Sequence, residues 1–356
     1  MIKTVFFTAC TVFSIGTQAM DVSSALDARP SKAACTLEEA MSRCNERYQI
    51  EFNGRQANVT KAFLHKLSYD EKAGRTFDDQ ITNTKDFLYL TYSCSNDLEQ
   101  IANYSYISGT STHFAVDQDG KIVQFVDSAN VAFCAGRSAY RENVGLNKNS
   151  ICIMLCHPAT TEFVKTDKLA SYGESIQIKG DSRSWLQYSD KQIESLSTLV
   201  GYLQKEFNIP GWNVISRGDT AKRVGPAPGP LFSYEKLSEL GTAYWPANMI
   251  DCPSELTDED IISLIQSIGY SNHEHAFGSD YGAMVALFKN HYGLKDLTKD
   301  ITDDCRNMAF SVVVDRLTRQ DQITNSLDTY LISKIEGLAP SNERIKLAFA
   351  ELLESK

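Results

Sequence analysis

The dipeptide Asp119-Gly120 constrains this chain more than any other local feature. It sits between His113-Phe114-Ala115-Val116-Asp117 and Lys121-Ile122-Val123-Gln124-Phe125-Val126, two runs rich in strand formers. Asp-Gly supplies the positive-φ positions that a tight reversal demands, so the stretch predicts an antiparallel hairpin. Phe87-Leu88-Tyr89-Leu90-Thr91-Tyr92 reads as a strand ahead of it, followed by a short helix over 97–104. Ser150-Ile151-Cys152-Ile153-Met154-Leu155 reads as a buried strand after it. Ser189 with Gln192 predicts a capping box, opening a helix whose stripe is Ile193, Leu196, Leu199, Val200 and Leu203. Strand, helix, hairpin, strand, helix is the order of an α/β chain with a central mixed sheet flanked by helices.

Downstream, Asn213-Val214-Ile215 leads into a loop ending Pro226-Ala227-Pro228-Gly229-Pro230, which can continue neither a helix nor a central strand. Its path is stiff, and stiff loops at strand ends are where sites are built. After Trp245-Pro246 the composition changes, and Asp251-Cys252-Pro253 reads as a linker. Thr257 and Asp260 cap a helix carrying Ile261, Ile262, Leu264, Ile265 and Ile268. Two further helical patterns cover 281–291 and 303–317, and Ser341 starts a last one bearing Ile345, Phe349 and Leu352. Residues 20–82 carry no motif beyond one helical pattern over 37–48. The expected division is a signal segment at 1–19, an N-terminal extension at 20–82, an α/β unit at 83–248, a small C-terminal helical domain at 252–333 and a terminal helix at 334–356.

The first residues have the form of an export signal: Met1-Ile2-Lys3, an apolar run to Ile15, and Thr17-Gln18-Ala19 for cleavage. Export places the protein in the periplasm or outside a bacterial cell. No later stretch is long and apolar enough to span a bilayer. Acids outnumber bases 45 to 35, a net charge of -10 that argues against nucleic acid as a partner. Nine cysteines include one in the signal segment, and the other eight suit disulfides in an oxidising compartment. Cys152 and Cys156 on one strand would stand ~13 Å apart, too far to bond each other. Cys252 with Cys305 is the pairing expected, because both flank the same helical unit.

Taken in order, these pieces resemble the type 2 N-acetylmuramoyl-L-alanine amidases, a family that includes phage lysozymes and peptidoglycan recognition proteins. Ser111-Thr112-His113-Phe114 with Asp119-Gly120-Lys121-Ile122-Val123-Gln124 is similar to the family's Ser-x-His-Tyr and Asp-Gly-x-Ile-x-Gln hairpin. Phe133-Cys134-Ala135-Gly136 stands where Trp-His-Ala-Gly is usual, and Asn147 to Ile153 is similar to the Asn-x-x-Ser-Ile-Gly-Ile strand. Pro228-Gly229-Pro230-Leu231-Phe232 and Trp245 resemble the family's close. The C-terminal unit, with Ile268-Gly269-Tyr270, Leu287-Phe288-Lys289 and His291-Tyr292, resembles a small three-helix peptidoglycan-binding domain. An unrelated helical bundle remains the alternative.

The resemblance implies zinc held by two histidines and an aspartate or cysteine, with an open position for water, and a glutamate that assists proton transfer. Residue by residue, those positions fall on Thr91, Arg217, Ala227 and Met154. A threonine hydroxyl is a weak, usually protonated donor, alanine has none, and an arginine stays protonated and repels a dication. Methionine carries no proton. The zinc site is thus expected to be lost, with no cofactor in its place.

Other residues invite sharper readings. His113 and Asp219 line or support the family cleft; His113 reads as a hydrogen-bonded structural histidine, and Asp219 as an organiser of its loop or a partner of Arg217. Arg217 is either a clamp for a stem-peptide carboxylate or one half of an internal ion pair. A Cys134–His113 nucleophile pair and a relocated metal site from His113, Cys134, His157 and Asp219 are weaker alternatives, a disulfide being the better use for Cys134. The functional expectation is a non-catalytic envelope protein that binds peptidoglycan or scaffolds an assembly with other envelope proteins, such as a secretion apparatus. Against it stand an active amidase cutting the amide between muramic acid and the stem peptide, and an assembly subunit that no longer touches the wall.

Overall fold

The computed structural model describes residues 37, 46–62, 84–102, 110–164, 166–338 and 342–354. The export segment lies outside the described residues. Of the helix expected over 37–48, Leu37 is helical, whereas Arg47 and Tyr48 already belong to a strand.

Eleven strands are described: β1 (Arg47–Phe52), β2 (Arg55–Lys61), β3 (Phe87–Tyr92), β4 (Phe114–Val116), β5 (Ile122–Gln124), β6 (Ala139–Tyr140), β7 (Asn143–Val144), β8 (Ser150–Leu155), β9 (Ile176–Gln177), β10 (Ser184–Trp185) and β11 (Val214–Ser216). Seven form the central sheet, in the order β1-β2-β5-β4-β8-β3-β11, while β6 with β7 and β9 with β10 make two small ribbons. The expected hairpin is β4–β5, antiparallel, with Gly120 at φ +82°. Its turn is also tied by Asp117, whose carboxylate accepts from the backbone N–H of Asp119 and of Lys121. The sheet is mixed: β4, β8, β3 and β11 run parallel to one another, while β4 is antiparallel to β5. Every residue of β3 is buried, as expected of a parallel strand covered on both faces.

Strands β1 and β2 lie in the segment that the sequence alone presents as a featureless extension. They form a tight hairpin at Asn53-Gly54, and β2 adds to β5 in parallel, so the sheet begins at Arg47. Only Ile50, Phe52 and Val59 are buried apolar residues there, which is why no strong pattern announces them.

The helices are α1 (Asp190–Phe207), α2 (Arg217–Thr220), α3 (Tyr234–Glu239), α4 (Asp258–Ile268), α5 (Tyr281–His291), α6 (Asp303–Thr318), α7 (Thr329–Leu338) and α8 (Glu343–Glu354). Ser189 caps α1, its Oγ accepting from the Gln192 N–H at 3.1 Å. The reciprocal half of the expected box is absent: the Gln192 side chain donates to the carbonyl of Val116 instead, fastening α1 to the hairpin. At α4 the box is complete, with Asp260 accepting from the Thr257 N–H at 2.8 Å.

Alternation along β3 divides the core. Leu88, Leu90 and Tyr92 pack with Leu196, Leu199 and Val200 of α1 on one face. Gly201 allows that helix to press close, because a Cβ there would fall 2.3 Å from the Phe52 ring. Phe87 and Tyr89 face the other way, into a cluster shared with Ile265, Phe288, Val312, Leu331, Ile345 and Phe349 of the C-terminal helices. The helical region, terminal helix included, is therefore the second cover of the sheet. Among the described residues no helix is long and apolar enough to cross a membrane.

Cysteine pairing departs from expectation. Cys134 is bonded to Cys152, tying the loop before β6 to the central strand β8. Cys94 is also disulfide-bonded. Cys252 and Cys305 are free: Cys305 is buried in the helical core at the start of α6, while the Cys252 thiol points to the Pro253 carbonyl. Flanking the same unit in sequence did not aim the two sulfurs at each other.

Candidate functional site

The parallel strands β8, β3 and β11 end on one rim of the sheet, the edge at which open α/β sheets bind their ligands. Thr91 stands opposite Met154 in register near the ends of β3 and β8. Ser216 stands opposite Leu90, so Arg217, the first residue of α2, emerges beside Thr91. The loop carrying Ala227 folds back onto this rim: the Gly218 N–H donates to the Ala227 carbonyl at 3.0 Å. A Cβ at Gly218 would lie 2.9 Å from that oxygen, so glycine permits the closure. The Tyr188 hydroxyl donates to the Pro228 carbonyl at 2.8 Å and fixes the far side of the loop, where Ala227-Pro228 is a cis peptide. Thr91, Met154, Arg217 and Ala227 are thus gathered at one place, Thr91 and Ala227 almost fully buried.

As a zinc site this set does not fit. It offers one hydroxyl, a thioether, a methyl and a guanidinium, with no imidazole, thiolate or carboxylate. Among the described residues no three histidine, cysteine, aspartate or glutamate side chains are grouped to hold a metal ion.

Asp219 lies two residues beyond Arg217 but faces away from the rim. Its carboxylate accepts from the N–H and hydroxyl of Ser216 at 2.6 and 2.7 Å, from the Tyr270 hydroxyl at 2.7 Å, and pairs with Nδ1 of His291 at 2.9 Å. Burial pushes this carboxyl up, yet His291, Tyr270 and Ser216 together hold it below the usual range. Its partners therefore include two residues of the C-terminal helical region rather than a ligand in the cleft. Tyr234 stacks on the His291 ring at 3.8 Å and closes the cluster.

His113 is fully buried. Its Nδ1 accepts from the Cys152 N–H at 2.9 Å, which leaves Nε2 to donate to the Asn130 carbonyl at 3.0 Å. Burial, reinforced by nearby Lys85, lowers its pKa to about 3, so the ring is neutral at pH 7. Both nitrogens are spent inside the fold, which makes His113 a strut of the sheet and not a ligand-facing group. Cys134 is consumed by its disulfide, and His157 donates from Nε2 to the Gln187 carbonyl while its Nδ1 accepts from the Ala159 N–H. His113, Cys134, His157 and Asp219 each serve separate internal contacts, so no relocated metal site arises from them.

Beside the rim runs an open groove of about 390 Å³, lined by Asp181, Arg183, Pro226, Ala286, Leu287 and Leu297. Arg183 is held on the Trp185 ring at 4.6 Å and paired with Asp181 at 2.6 Å. On the other side, Arg223 reaches across to donate to the Arg137 carbonyl at 3.0 Å. Sequence reasoning passed over Arg137, Arg223, Tyr270 and His291 as site residues. Tyr270 and His291 sit in the helical pattern quoted above, but only the docking of that region brings them to Asp219.

The sheet order, the rim loop and the covering helices define the type 2 amidase fold. Residues 55–228 match the model of a family described as N-acetylmuramoyl-L-alanine amidase. A Rickettsia conorii protein provisionally named as such an amidase is 35% identical over 156 residues, 43% of this chain and 50% of that protein. AmiD of Escherichia coli is 28% identical over 126 residues, 35% of this chain and 40% of AmiD. The chain thus spans about half the length of the curated relatives it matches, or less. Among solved structures, Escherichia coli AmiD in complex with anhydro-N-acetylmuramic acid-L-Ala-D-gamma-Glu-L-Lys superposes with a TM-score of 0.51 at 18% identity, covering 75% of this chain and 97% of that one. AmpDh3 of Pseudomonas aeruginosa, in complex with anhydromuramic pentapeptide, gives 0.51 at 16% identity, covering 69% and 97%. At such identities the likeness establishes the fold.

Proposed function

We propose that this protein is a non-catalytic relative of the wall amidases, exported to the bacterial envelope, where it binds peptidoglycan or scaffolds an assembly resting on it. One observation supports the reading: Thr91, Met154, Arg217 and Ala227, the positions to which the resemblance assigns the family's metal and proton-transfer groups, meet at one rim, and none of these side chains can do that work. Without a Lewis acid the water attacking an amide keeps a pKa near bulk, and the carbonyl stays unpolarised. Binding does not need the metal, because a groove with a fixed arginine, Arg183, can still take a peptide by local hydrogen bonding. The peptidoglycan fragments held by AmiD and AmpDh3 support the choice of ligand.

Three measurements on purified full-length protein test this. Zinc content is expected far below one equivalent, insoluble sacculi are expected to retain the protein, and no soluble fragments are expected to be released. Stoichiometric zinc or solubilised wall would restore the amidase reading. Failure of sacculi to retain the protein would leave only the scaffold. The combined variant Thr91→His, Arg217→His, Ala227→Asp should bind zinc, because it returns three donors to one rim.

A further inference from the structure

The central sheet has two edges, and they are finished differently. β11 is three residues long and every one is buried. β1 is six residues long and pairs with β2 alone, and among the described residues nothing bonds to its outer side. The register decides which backbone groups face out. The Lys61 N–H donates to the Glu46 carbonyl at 2.9 Å, and Arg47 to Phe52 continue that pairing without a break. Even-numbered residues of β1 therefore bond to β2, and alternation turns the N–H and C=O of Arg47, Gln49 and Glu51 outward. The side chains of these three are exposed, whereas Ile50 and Phe52 are buried on the face that α1 covers.

Open edges are ordinarily blunted by a proline, a bulge or charges that repel a second strand. β1 has no proline and no bulge. Its exposed charges, Arg47 and Glu51, are of opposite sign with Gln49 midway, and neither forms an ion pair among the described residues. That spacing is self-complementary. Two copies laid antiparallel about a two-fold axis at Gln49 place Arg47 of each opposite Glu51 of the other, and Gln49 opposite itself. The same register joins every outward N–H and C=O of the three residues in hydrogen-bonded pairs. A slip of two residues sets Gln49 against Arg47 or Glu51 and loses both ion pairs. α1 meets β1 at the Phe52 end, through Gly201 and Lys205, so the two copies of the helix stand at opposite ends of the joint. We propose that β1 is the docking edge for a second copy of this chain, extending one sheet across a two-fold homodimer. The inference is independent of metal loss and of wall binding. Single cross-strand pairs contribute little each, so the dimer is a reversible one.

The test is sedimentation equilibrium of the full chain from micromolar to millimolar concentration. A net charge of -10 on each copy opposes association, so the salt is set at about 0.15 M, where charges more than about 8 Å apart are screened and facing pairs are not. A reversible monomer–dimer equilibrium is expected. Arg47→Glu sets acids against each other at both crossings and should raise the dissociation constant about tenfold or more, and Glu51→Arg, which sets bases together, should do the same. The double variant Arg47→Glu, Glu51→Arg exchanges the two signs, rebuilds both pairs and should return the constant to within about threefold of the parent. Gln49→Pro deletes the central outward N–H, which bonds nothing inside one copy, and should abolish the dimer while leaving the denaturation midpoint in place. Should that variant fail to fold, the charge exchange at exposed positions still decides. A chain that stays monomeric throughout the range overturns the proposal. So does a dimer indifferent to the single variants, or one that the double variant fails to restore, since its interface then lies elsewhere.

Discussion

Two regions meet at the short helix α2, and they use charge in opposite ways. On the rim side the side chains are a buried threonine, a methionine, a buried alanine and the half-buried Arg217. On the seam side, two residues later, Asp219 joins Ser216, Tyr270 and His291 in a fully buried network. Deeper in the seam, Asp328 pairs with Arg316 and with Arg141, which it meets at 3.1 Å, and Arg141 also lies over the Tyr330 ring. The carboxylate and imidazole chemistry expected of a metalloenzyme's cleft is thus invested in joining sheet to helices. The lesson is that Asp219, which stands in the family motif by resemblance, spends its carboxylate on holding sheet to helices.

The contrast breaks most sharply at Asp328. Removing this carboxylate strands two buried guanidinium groups, and a broken buried pair costs about 3–5 kcal/mol. Asp328→Ala should unfold at much lower denaturant concentration or fail to accumulate as soluble protein. An Asp328→Ala protein as stable as the parent would mean the seam is not where stability resides.

Asp219 and Arg217 sharpen the comparison within one turn of chain. Asp219→Ala leaves Ser216, Tyr270 and His291 without their shared acceptor and should cost about 3 kcal/mol. Arg217→Ala sits on the half-buried rim side and should cost less than about 1 kcal/mol. Chemical denaturation of the two variants in parallel reads the difference, and equal losses would erase the distinction between rim and seam.

How far the sequence reveals this arrangement depends on the range of the interaction. The β4–β5 hairpin and the α4 cap are legible because turn and cap chemistry is local: Asp119-Gly120 and Thr257 with Asp260 act within four residues. The spacing of Arg217 and Ala227 points through the resemblance to a shared site, and the structure does bring the two segments together. Strands β1 and β2 are hidden, since an edge pair buries so few apolar side chains that Arg55, Gln56 and Asn58 dominate its composition. The Cys134–Cys152 bond and the Asp219–His291 pair are hidden for another reason. Each requires knowing how separate elements dock, and periodicity carries no information about that.

The struts of the sheet predict an acid response distinct from that of the rim. His113 and His157 are buried and neutral, with pKa values lowered to about 3 and about 4, chiefly by burial. In the unfolded chain each titrates near 6.5, so below that pH the unfolded state takes up protons that the folded state refuses. Stability is full above about pH 6.5 and falls as pH drops toward the folded values. Each histidine contributes about 1.4 kcal/mol per pH unit, so the pair should remove about 2–3 kcal/mol by pH 5.5. Denaturant midpoints between pH 7.5 and 5 test this, and a His113→Gln variant should flatten the slope by about half. A parent protein with no slope in that window would mean that neither ring is held neutral.

The smallest effect expected within the seam isolates a single bond. Tyr270→Phe removes the hydroxyl that donates to Asp219 and leaves the ring in contact with Phe277 and Phe288. The direct cost should be about 1–2 kcal/mol, the usual range for a hydrogen bond to a charged acceptor. Because that bond helps hold the Asp219 carboxyl below its ordinary value, its loss should also let the folded pKa rise. The sign follows from a depressed carboxylate: its stabilisation is present above the unfolded pKa near 3.8 and disappears as pH falls through the folded pKa. In Tyr270→Phe the stabilisation at neutral pH is therefore smaller and is exhausted at a higher pH than in the parent. Midpoints measured from pH 5 down to pH 2 should show the variant's deficit shrinking as both proteins lose the carboxylate charge. A deficit that stays constant through that range would place the Tyr270 hydroxyl outside the network and leave His291 as the seam's principal link to Asp219.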